Sequence, residues 1–269
     1  GLPDGAVATC MGITCSGHGQ CVESPNGAAC VCDPPYEPQG LTCIPPSNGV
    51  LAFPGAQGFG AHATGGRGGR VIKVTTLAAS GPGSLQEALD VNAPRIIVFE
   101  VSGVIDADIV TVPFGNVTIA GQTAPGGGIS IRGRLYSEYS AGIDNIIVRH
   151  VRVRPPAFPG GDPSQYDGMQ FSLNRLAMFD HVSVAFGVDE TFDLYEADDV
   201  TVQWSTIEMA ALDNNHNYGL LNGPDGHKIS VHHNLFAHNL NRNPAIANGP
   251  ADVRNNVAYN VRHGFVHHN

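Results

Sequence analysis

Three aspartates have the spacing of a metal site. Asp189 and Asp193 bracket the segment D-E-T-F-D, and their equal parity in an extended strand places both side chains on one face. Asp167 precedes them by about one structural repeat. Neighbouring carboxylates repel one another unless a hard cation is present, and Ca²⁺ accepts irregular sets of oxygen ligands. The spacing therefore predicts a calcium site at Asp167, Asp189 and Asp193, with a solvated acidic rim as the alternative.

A second candidate for chemistry is Arg242, in the sequence N-R-N-P-A. The nearby proline restricts the backbone, and a directed guanidinium fork fits carboxylates. A surface arginine in a turn is the alternative interpretation. His216 and His238 are possible general bases, because histidine titrates near neutrality. The prediction of an enzyme depends on Arg242 and the aspartates opening into one groove.

Short repeated strands must position these residues. Runs of alternating apolar and polar side chains begin 23 to 31 residues apart, with Gly, Pro, Asp and Asn between them. The runs begin at Val148, Phe179, Val202, Val231 and Arg254. Unequal repeats with one strand phase are typical of a solenoid with its insertions in loops. We therefore predict an all-β fold, a parallel β-helix.

The third residue of each run would stack on its counterpart in the next coil, about 4.8 Å away. The resulting ladder comprises His150, His181, Trp204, His233 and Asn256. A doubly wound α/β fold is the alternative, but it needs long amphipathic helices between the strands. Only residues 83–89, with Ser84 as the cap, suggest a helix, and it is short.

Composition restricts the class of protein and its partners. The 269 residues include 34 Gly and 19 Pro, and only 14% are charged, which favours a turn-rich β protein. A formal charge of −10 argues against nucleic acid as a partner. No apolar run reaches the roughly 18 residues of a membrane span. We expect a monomer that binds neither nucleic acid nor membranes.

All six cysteines lie between Cys10 and Cys43. So short a segment cannot build an adequate apolar core, so cross-links must stabilise it. Six cysteines permit 15 pairings, and a zinc site is the alternative, although the C-x2-C pairs typical of zinc are missing. Disulfides predict an oxidising compartment, and we expect a secreted, extracellular protein.

The cysteine spacing C-x4-C-x5-C-x8-C-x-C-x10-C resembles that of EGF-like modules. This resemblance implies the disulfides Cys10–Cys21, Cys15–Cys30 and Cys32–Cys43. It also predicts a disulfide-rich module with the start of a linker over residues 1–45. The segment Ile44–Gly49 is interpreted as a short, semi-rigid linker.

The remaining chain contains several ordered motifs: T-G-G-R-G-G-R-V-I-K-V-T-T-L, D-E-T-F-D-L-Y with V-T-V-Q-W, and V-H-H-N-L-F-A-H-N-L-N-R-N-P. From Phe53 to about Asn260 it resembles the polysaccharide lyase family 1 pectate lyases. The resemblance implies a right-handed parallel β-helix over residues 50–269 and Ca²⁺-dependent β-elimination of polygalacturonate, an acidic polysaccharide. The resemblance also implies that Arg242 matches the catalytic arginine, that Asp189 and Asp193 match paired metal ligands, and that Asp167 matches a third.

Two cationic positions of the family differ in this sequence. Ala247 replaces an arginine after R-x-P, and Asn217 replaces a lysine. Substitute contacts to the substrate are predicted from Lys228, His216 or Arg152, together with Asn217 itself. The chain also ends where relatives continue, which predicts a C-terminally truncated domain. These departures leave open a lyase for another uronate polymer such as alginate, a β-helix glycoside hydrolase, or a non-catalytic carbohydrate-binding or adhesion solenoid.

Overall fold

A computed structural model describes residues 10–17, 19–24, 27–33, 36–39, 41–44, 49–137, 139, 142–164, 166–211 and 216–267. Most of the linker predicted at Ile44–Gly49 lies outside these residues. The chain forms two compact units, Gly1–Val50 and Leu51–Asn269. Within the described residues, no helix is long and apolar enough to cross a membrane.

The described residues of the N-terminal unit form two small antiparallel sheets. Strands β1 (Gly19–Ser24) and β2 (Gly27–Cys32) form one, and β3 (Glu37–Gln39) and β4 (Thr42–Ile44) form the other, with a 3₁₀ turn at Cys15–Gly17. The three disulfides are Cys10–Cys21, Cys15–Cys30 and Cys32–Cys43, which confirms the implied pairing. Cystine sulfur forms most of the buried core, so the cross-links replace apolar packing. The finer EGF-like assignment stays a prediction.

The described residues of the second unit form short strands, one short helix and two 3₁₀ turns. The helix α1 spans Leu85–Leu89, and the 3₁₀ turns span Phe59–His62 and Gly121–Thr123. The strands are β5 (Arg70–Val74), β6 (Arg95–Phe99), β7 (Gly103–Thr111), β8 (Val117–Ala120), β9 (Ile129–Tyr136), β10 (Asp144–Arg149), β11 (Val151–Val153), β12 (Met169–Gln170), β13 (Arg175–Asp180), β14 (Ser183–Ala185), β15 (Glu190–Asp193), β16 (Asp198–Gln203), β17 (Thr206–Glu208), β18 (Tyr218–Asn222), β19 (Ile229–His232), β20 (Leu235–Ala237), β21 (Ala245–Ile246), β22 (Ala251–Arg254), β23 (Val257–Tyr259) and β24 (Val266–His267).

These strands form a parallel β-helix, which confirms the predicted fold. From β10 onward each coil contributes three successive strands, and each strand pairs in parallel with its counterpart in the next coil. The first strands of the coils join an eight-stranded sheet, and the second and third strands lie on the two arms of a sheet that continues through β9. The interior is apolar, with Phe171, Phe179 and Phe192 packed edge to face at 4.9 and 5.0 Å between ring centroids.

The short predicted helix is confirmed. Ser84 caps it by accepting a hydrogen bond from the amide of Glu87 at 3.1 Å, and it begins at Leu85. Leu85, Ala88 and Leu89 are buried in the main core. The helix packs against β5, β6 and β7, the first strands of the β-helical unit.

Corner residues between the first and second strands of successive coils form the predicted ladder. His150 stacks on His181 at 4.6 Å and Trp204 stacks on His233 at 4.3 Å, while His181 and Trp204 are 6.4 Å apart. All four have positive φ, between 51° and 58°. The prediction for the last coil was wrong by one residue. Strand pairing sets His232 against Arg254, so Asn255, not Asn256, follows His233 in the ladder.

Candidate active site

The parallel pairing of β12, β15 and β18 brings the predicted residues onto one face. Gln170 lies opposite Asp193, and Asp193 lies opposite Leu221. Glu190 pairs with Tyr218, which in turn bridges to Asn241 in the following coil. Residues far apart in sequence therefore stack at the separation of neighbouring coils, and Arg242 follows directly after this column.

A cavity of about 450 Å³ opens at this face. Asp167, Asp189, Asp193, His216 and Arg242 line it, so the structure brings together five of the six residues predicted for catalysis and metal binding. The remaining lining residues are Tyr139, Ser164, Gln170, Glu190, Tyr195 and Leu221. Among the described residues of this lining, four carry carboxylates and Arg242 alone carries a permanent positive charge.

The four carboxylates of the cavity are buried. Asp167, Asp189, Glu190 and Asp193 are between 3% and 8% exposed. Burial, together with the charges of Asp193 and Asp189, raises the pKa of Asp167 well above its ordinary value. Burial likewise raises the pKa of Asp193 to about 7. Both shifts are due first to burial, and the neighbouring acidic side chains add to it.

Hydrogen bonds fix the direction of the buried aspartates. Asp193 accepts from the Ser172 hydroxyl and the Tyr195 amide, both at 2.9 Å. Asp167 accepts from the Glu190 amide at 2.8 Å. Because these bonds run between coils or close a turn, the solenoid itself holds the carboxylates in place.

Arg242 reaches the cavity from a strained corner. Its backbone has a φ of 58°, a left-handed conformation that costs a non-glycine residue about 1 kcal/mol. The guanidinium carbon lies 4.3 Å from the centroid of the Tyr218 ring, and Nη1 forms an ion pair with Glu190 Oε1. Burial lowers the pKa of Arg242 against the opposing effect of Asp189 and Asp167. The cation is thus directed at the acidic residues.

His216 is the histidine that the structure brings to the cavity. Its Nδ1 contacts Asp189 Oδ1, and its ring stacks on Tyr218 with 4.6 Å between centroids. Tyr218 therefore lies against both His216 and Arg242. Nothing in the strand pattern marked Tyr218 as a site residue, because its role depends on the register of β18 against β15.

His238 and Asn217 lie elsewhere, so the structure does not place His238 where a base would be needed. They line a second cavity of about 360 Å³ with Asn239, Leu240, Asn260, Val261 and Arg262. His238 is a corner residue with a φ of 59°, and its Nδ1 is 2.8 Å from Asn260 Nδ2. Met209 and Asn260 occupy the same position in the neighbouring coils. The corner of the solenoid therefore determines where His238 lies.

Lys228 and Arg152, which were predicted to contact substrate, also lie off the acidic cavity. Lys228 is exposed and its Nζ is 3.4 Å from Asp199 Oδ2. Arg152 donates to the Gly127 carbonyl at 2.7 Å and to the Ser130 hydroxyl at 3.3 Å. Both side chains are engaged with neighbouring coils, and neither supplies the cavity with positive charge.

No family profile matches the chain. A probable pectate lyase C from Emericella nidulans is 45% identical over 212 residues, which cover 78% of this chain and 48% of that relative. A probable pectate lyase C from Aspergillus fumigatus is 43% identical over the same shares. The β-helical unit is homologous to pectate lyases. The chain spans about half the length of the curated pectate lyases that it matches.

Solved structures agree with this homology at the level of the fold. Jun a 1, the major allergen from cedar pollen, superposes with a TM-score of 0.57 at 17% identity, over 78% of this chain and 68% of the allergen. A pectate lyase from Bacillus sp. N165, solved with trigalacturonate, gives a TM-score of 0.53 at 19% identity, over 75% and 68% of the two chains.

The donor set of this pectate lyase homologue fits a hard divalent cation. Asp167, Asp189 and Glu190 each offer a carboxylate oxygen, and these oxygens lie within 4.8 Å of one another. The sequence prediction named Asp193 in place of Glu190. Asp193 lines the same cavity, but it stands outside this group and its two oxygens accept from Ser172 and Tyr195.

Glu190 was missed because strict alternation was assumed through residues 189–193. Asp189 lies in a bend, and the strand begins only at Glu190. The bend turns both neighbouring side chains toward the cavity, although adjacent residues in a regular strand would face opposite sides.

Proposed function

We propose that the β-helical unit is a calcium-dependent lyase that cleaves polygalacturonate by β-elimination. The observation that carries the proposal is the convergence of Arg242 and four buried carboxylates on one cavity. An acidic substrate can enter so negative a site only with a cation, and the oxygen ligands favour Ca²⁺. Homology to pectate lyases supports the same substrate class.

Elimination from a uronate requires three coordinated changes. A base removes the proton on the carbon next to the carboxylate, a carbon–carbon double bond forms, and the bond from the ring to the glycosidic oxygen breaks. The electron pair leaves with that oxygen, which then takes up a proton. The difficult step is removal of the weakly acidic proton, because negative charge develops next to an existing carboxylate.

Asp167, Asp189 and Glu190 would hold the cation, and Asp193 would shape the wall beside them. A bound Ca²⁺ would neutralise the substrate carboxylate and so favour loss of the neighbouring proton. Arg242 would contact the sugar at the reacting carbon. Its lowered pKa is in the direction that a base requires, and in its protonated form the guanidinium stabilises the developing anion.

His216 is the second candidate for proton transfer. It shares the cavity with Arg242, and its contact with Asp189 fixes the orientation of the ring. Its ring offers a nitrogen that can take up a proton, whereas a guanidinium remains protonated under ordinary conditions. Substitution of each residue separates the two roles.

Disulfide cross-linking of the N-terminal unit supports action outside the cell, in an oxidising compartment. The resemblance of that unit to EGF-like modules supports an accessory role in spacing or adhesion, apart from the chemistry. We propose that the protein acts as a monomer.

The test is a polysaccharide panel containing polygalacturonate, methylated pectin and alginate, assayed with Ca²⁺ and with EDTA. Elimination produces an unsaturated uronide that absorbs in the ultraviolet, whereas hydrolysis produces reducing ends without that absorbance. We expect absorbance from polygalacturonate, dependent on Ca²⁺. Reducing ends without absorbance would establish a hydrolase instead, absorbance from alginate alone would change the substrate, and binding without cleavage would indicate a carbohydrate-binding solenoid.

A further inference from the structure

Glu190 belongs to two groups of charges at once. Its Oε1 forms the ion pair with Arg242 Nη1, and it offers an oxygen to the cluster with Asp167 and Asp189. The side chain is 4% exposed, so water does little to screen either interaction. A single carboxylate is therefore shared by the candidate metal ligands and the candidate catalytic cation.

The sharing is competitive. Arg242 has Glu190 as its ion-pair partner among the residues that the structure describes, with the Tyr218 ring beneath the guanidinium. A divalent cation among Asp167, Asp189 and Glu190 would draw on the same negative charge. It would also repel the guanidinium, because two cations that share one buried carboxylate are incompletely neutralised.

The surrounding contacts keep Glu190 where both partners reach it. Its backbone amide donates to Asp167 Oδ1 at 2.8 Å, and its carbonyl accepts from the Gly168 amide at 3.2 Å. The backbone of the residue is thus bound to the preceding coil, which carries one of the acidic partners. Arg242 arrives from a later coil, beyond Tyr218.

We propose that Glu190 is a positioning residue that exchanges Arg242 for the metal ion. In the metal-free protein Glu190 neutralises Arg242 and holds it against Tyr218. In the metal-loaded protein Glu190 serves as a ligand beside Asp167 and Asp189, which leaves the guanidinium for the substrate. The inference rests on the proposed function, and it adds a coupling: metal binding itself prepares the catalytic arginine.

The test measures Ca²⁺ affinity by calorimetry, without substrate, in the wild type, E190Q, R242A and the double variant. We expect E190Q to weaken Ca²⁺ binding about tenfold, since one ligand charge is lost, and R242A to strengthen it about tenfold. If Glu190 mediates the exchange, the gain in Ca²⁺ affinity caused by R242A should be at least about fivefold smaller with Gln at position 190 than with Glu.

Arg134 supplies the matched control for simple charge repulsion. Its positive charge acts on Asp167 and its guanidinium carbon lies 4.7 Å from the centroid of the Tyr166 ring, whereas the ion pair of Glu190 is with Arg242. R134A should therefore change Ca²⁺ affinity by the same factor with Glu or Gln at position 190. Circular dichroism of each variant verifies that the β-helix has formed.

Each possible result either supports or overturns the proposed exchange or the function on which it rests. Non-additivity for R242A with additivity for R134A supports the exchange. Equal factors for R242A in both backgrounds overturn it, because Arg242 then acts on the metal only at long range. Failure of the wild type to bind Ca²⁺ overturns both the exchange and the proposed metal dependence, whereas coupling without lyase turnover refutes only the proposed reaction.

Discussion

Two groups of buried carboxylates occupy the same solenoid and differ in their partners. At the aromatic ladder, Asp180 is fully buried and accepts from Arg149 Nε at 2.8 Å, Gln203 Nε2 at 2.7 Å and His181 Nδ1 at 2.9 Å. Burial alone would raise its pKa, but these hydrogen bonds hold the pKa of Asp180 below its ordinary value. The negative charge of Asp180 is therefore matched by donors within the ladder group.

The acidic cavity is the opposite case. Asp167 and Asp193 are as deeply placed, yet their pKa values are raised, because burial and neighbouring carboxylates outweigh the bonds they accept. Stacking of coils thus gives two results, according to whether the chain supplies a matching cation. The ladder stabilises the fold, whereas the cavity retains a charge imbalance that an external cation and an acidic substrate can use.

The largest expected effect is on catalysis. Arg242→Ala should lower kcat/KM on polygalacturonate by about a thousandfold, because the guanidinium directed at the developing charge is lost. Arg175→Ala is the matched control. That arginine is exposed on β13 in the other sheet, near Asp198, and its removal should leave turnover unchanged. Turnover by Arg242→Ala within tenfold of the wild type would exclude a catalytic role.

The next prediction compares how much the ladder aspartate and a cavity aspartate contribute to the free energy of unfolding. In EDTA, Asp180→Asn should lower the free energy of unfolding by about 3 kcal/mol, since Arg149 loses its buried partner. Asp193→Asn should cost less than about 1 kcal/mol, because the amide oxygen can still accept from Ser172 or Tyr195 and a poorly compensated charge disappears.

Urea denaturation of the two variants beside the wild type provides this measurement. With Ca²⁺ added, Asp193→Asn should lose part of the metal-dependent gain in stability, whereas Asp180→Asn should keep it. Equal destabilisation of both variants in EDTA would show that the cavity carboxylates are as well compensated as the ladder aspartate, and the contrast between the regions would fail.

A smaller effect distinguishes the two histidines proposed as bases. His216→Ala should reduce kcat about tenfold, because His216 lies in the cavity in contact with Asp189. His238→Ala should stay within about threefold, because that side chain lies at a corner, in the second cavity. Initial rates over a range of pH measure both effects. A larger loss of kcat for His238→Ala than for His216→Ala would assign proton transfer to His238 instead.

The sequence predicted the repeated features of the molecule well. Alternating runs separated by turn residues indicated the strands, and stacking at one position indicated the ladder of His150, His181, Trp204 and His233. The strands and the ladder depend on local patterns that recur in successive coils, and such patterns are visible in a linear sequence. The convergence of Arg242 with Asp189 is not such a pattern and was expected only from the resemblance to pectate lyases.

Features that depend on exact register were missed. The ladder prediction chose Asn256 where strand pairing selects Asn255, and Glu190 was overlooked because a bend at Asp189 interrupts the alternation. His238 was assigned to catalysis for its chemistry, although its place in the coil is a corner. A shift of one residue reverses the direction of a strand side chain, so small errors of register change the composition of a site.

The smallest expected effect is a difference in acid stability between the two regions. Asp180 has a lowered pKa in the folded state, so its stabilising contribution is present above the unfolded value near 3.8 and is lost as the pH falls through the folded value. Acidification below about pH 4 should therefore destabilise the wild type more than Asp180→Asn, which has no carboxyl to protonate there. Thermal unfolding in EDTA from pH 6 to pH 2 measures the difference. Parallel curves for the two proteins would mean that Arg149 and Gln203 do not favour the charged form of Asp180.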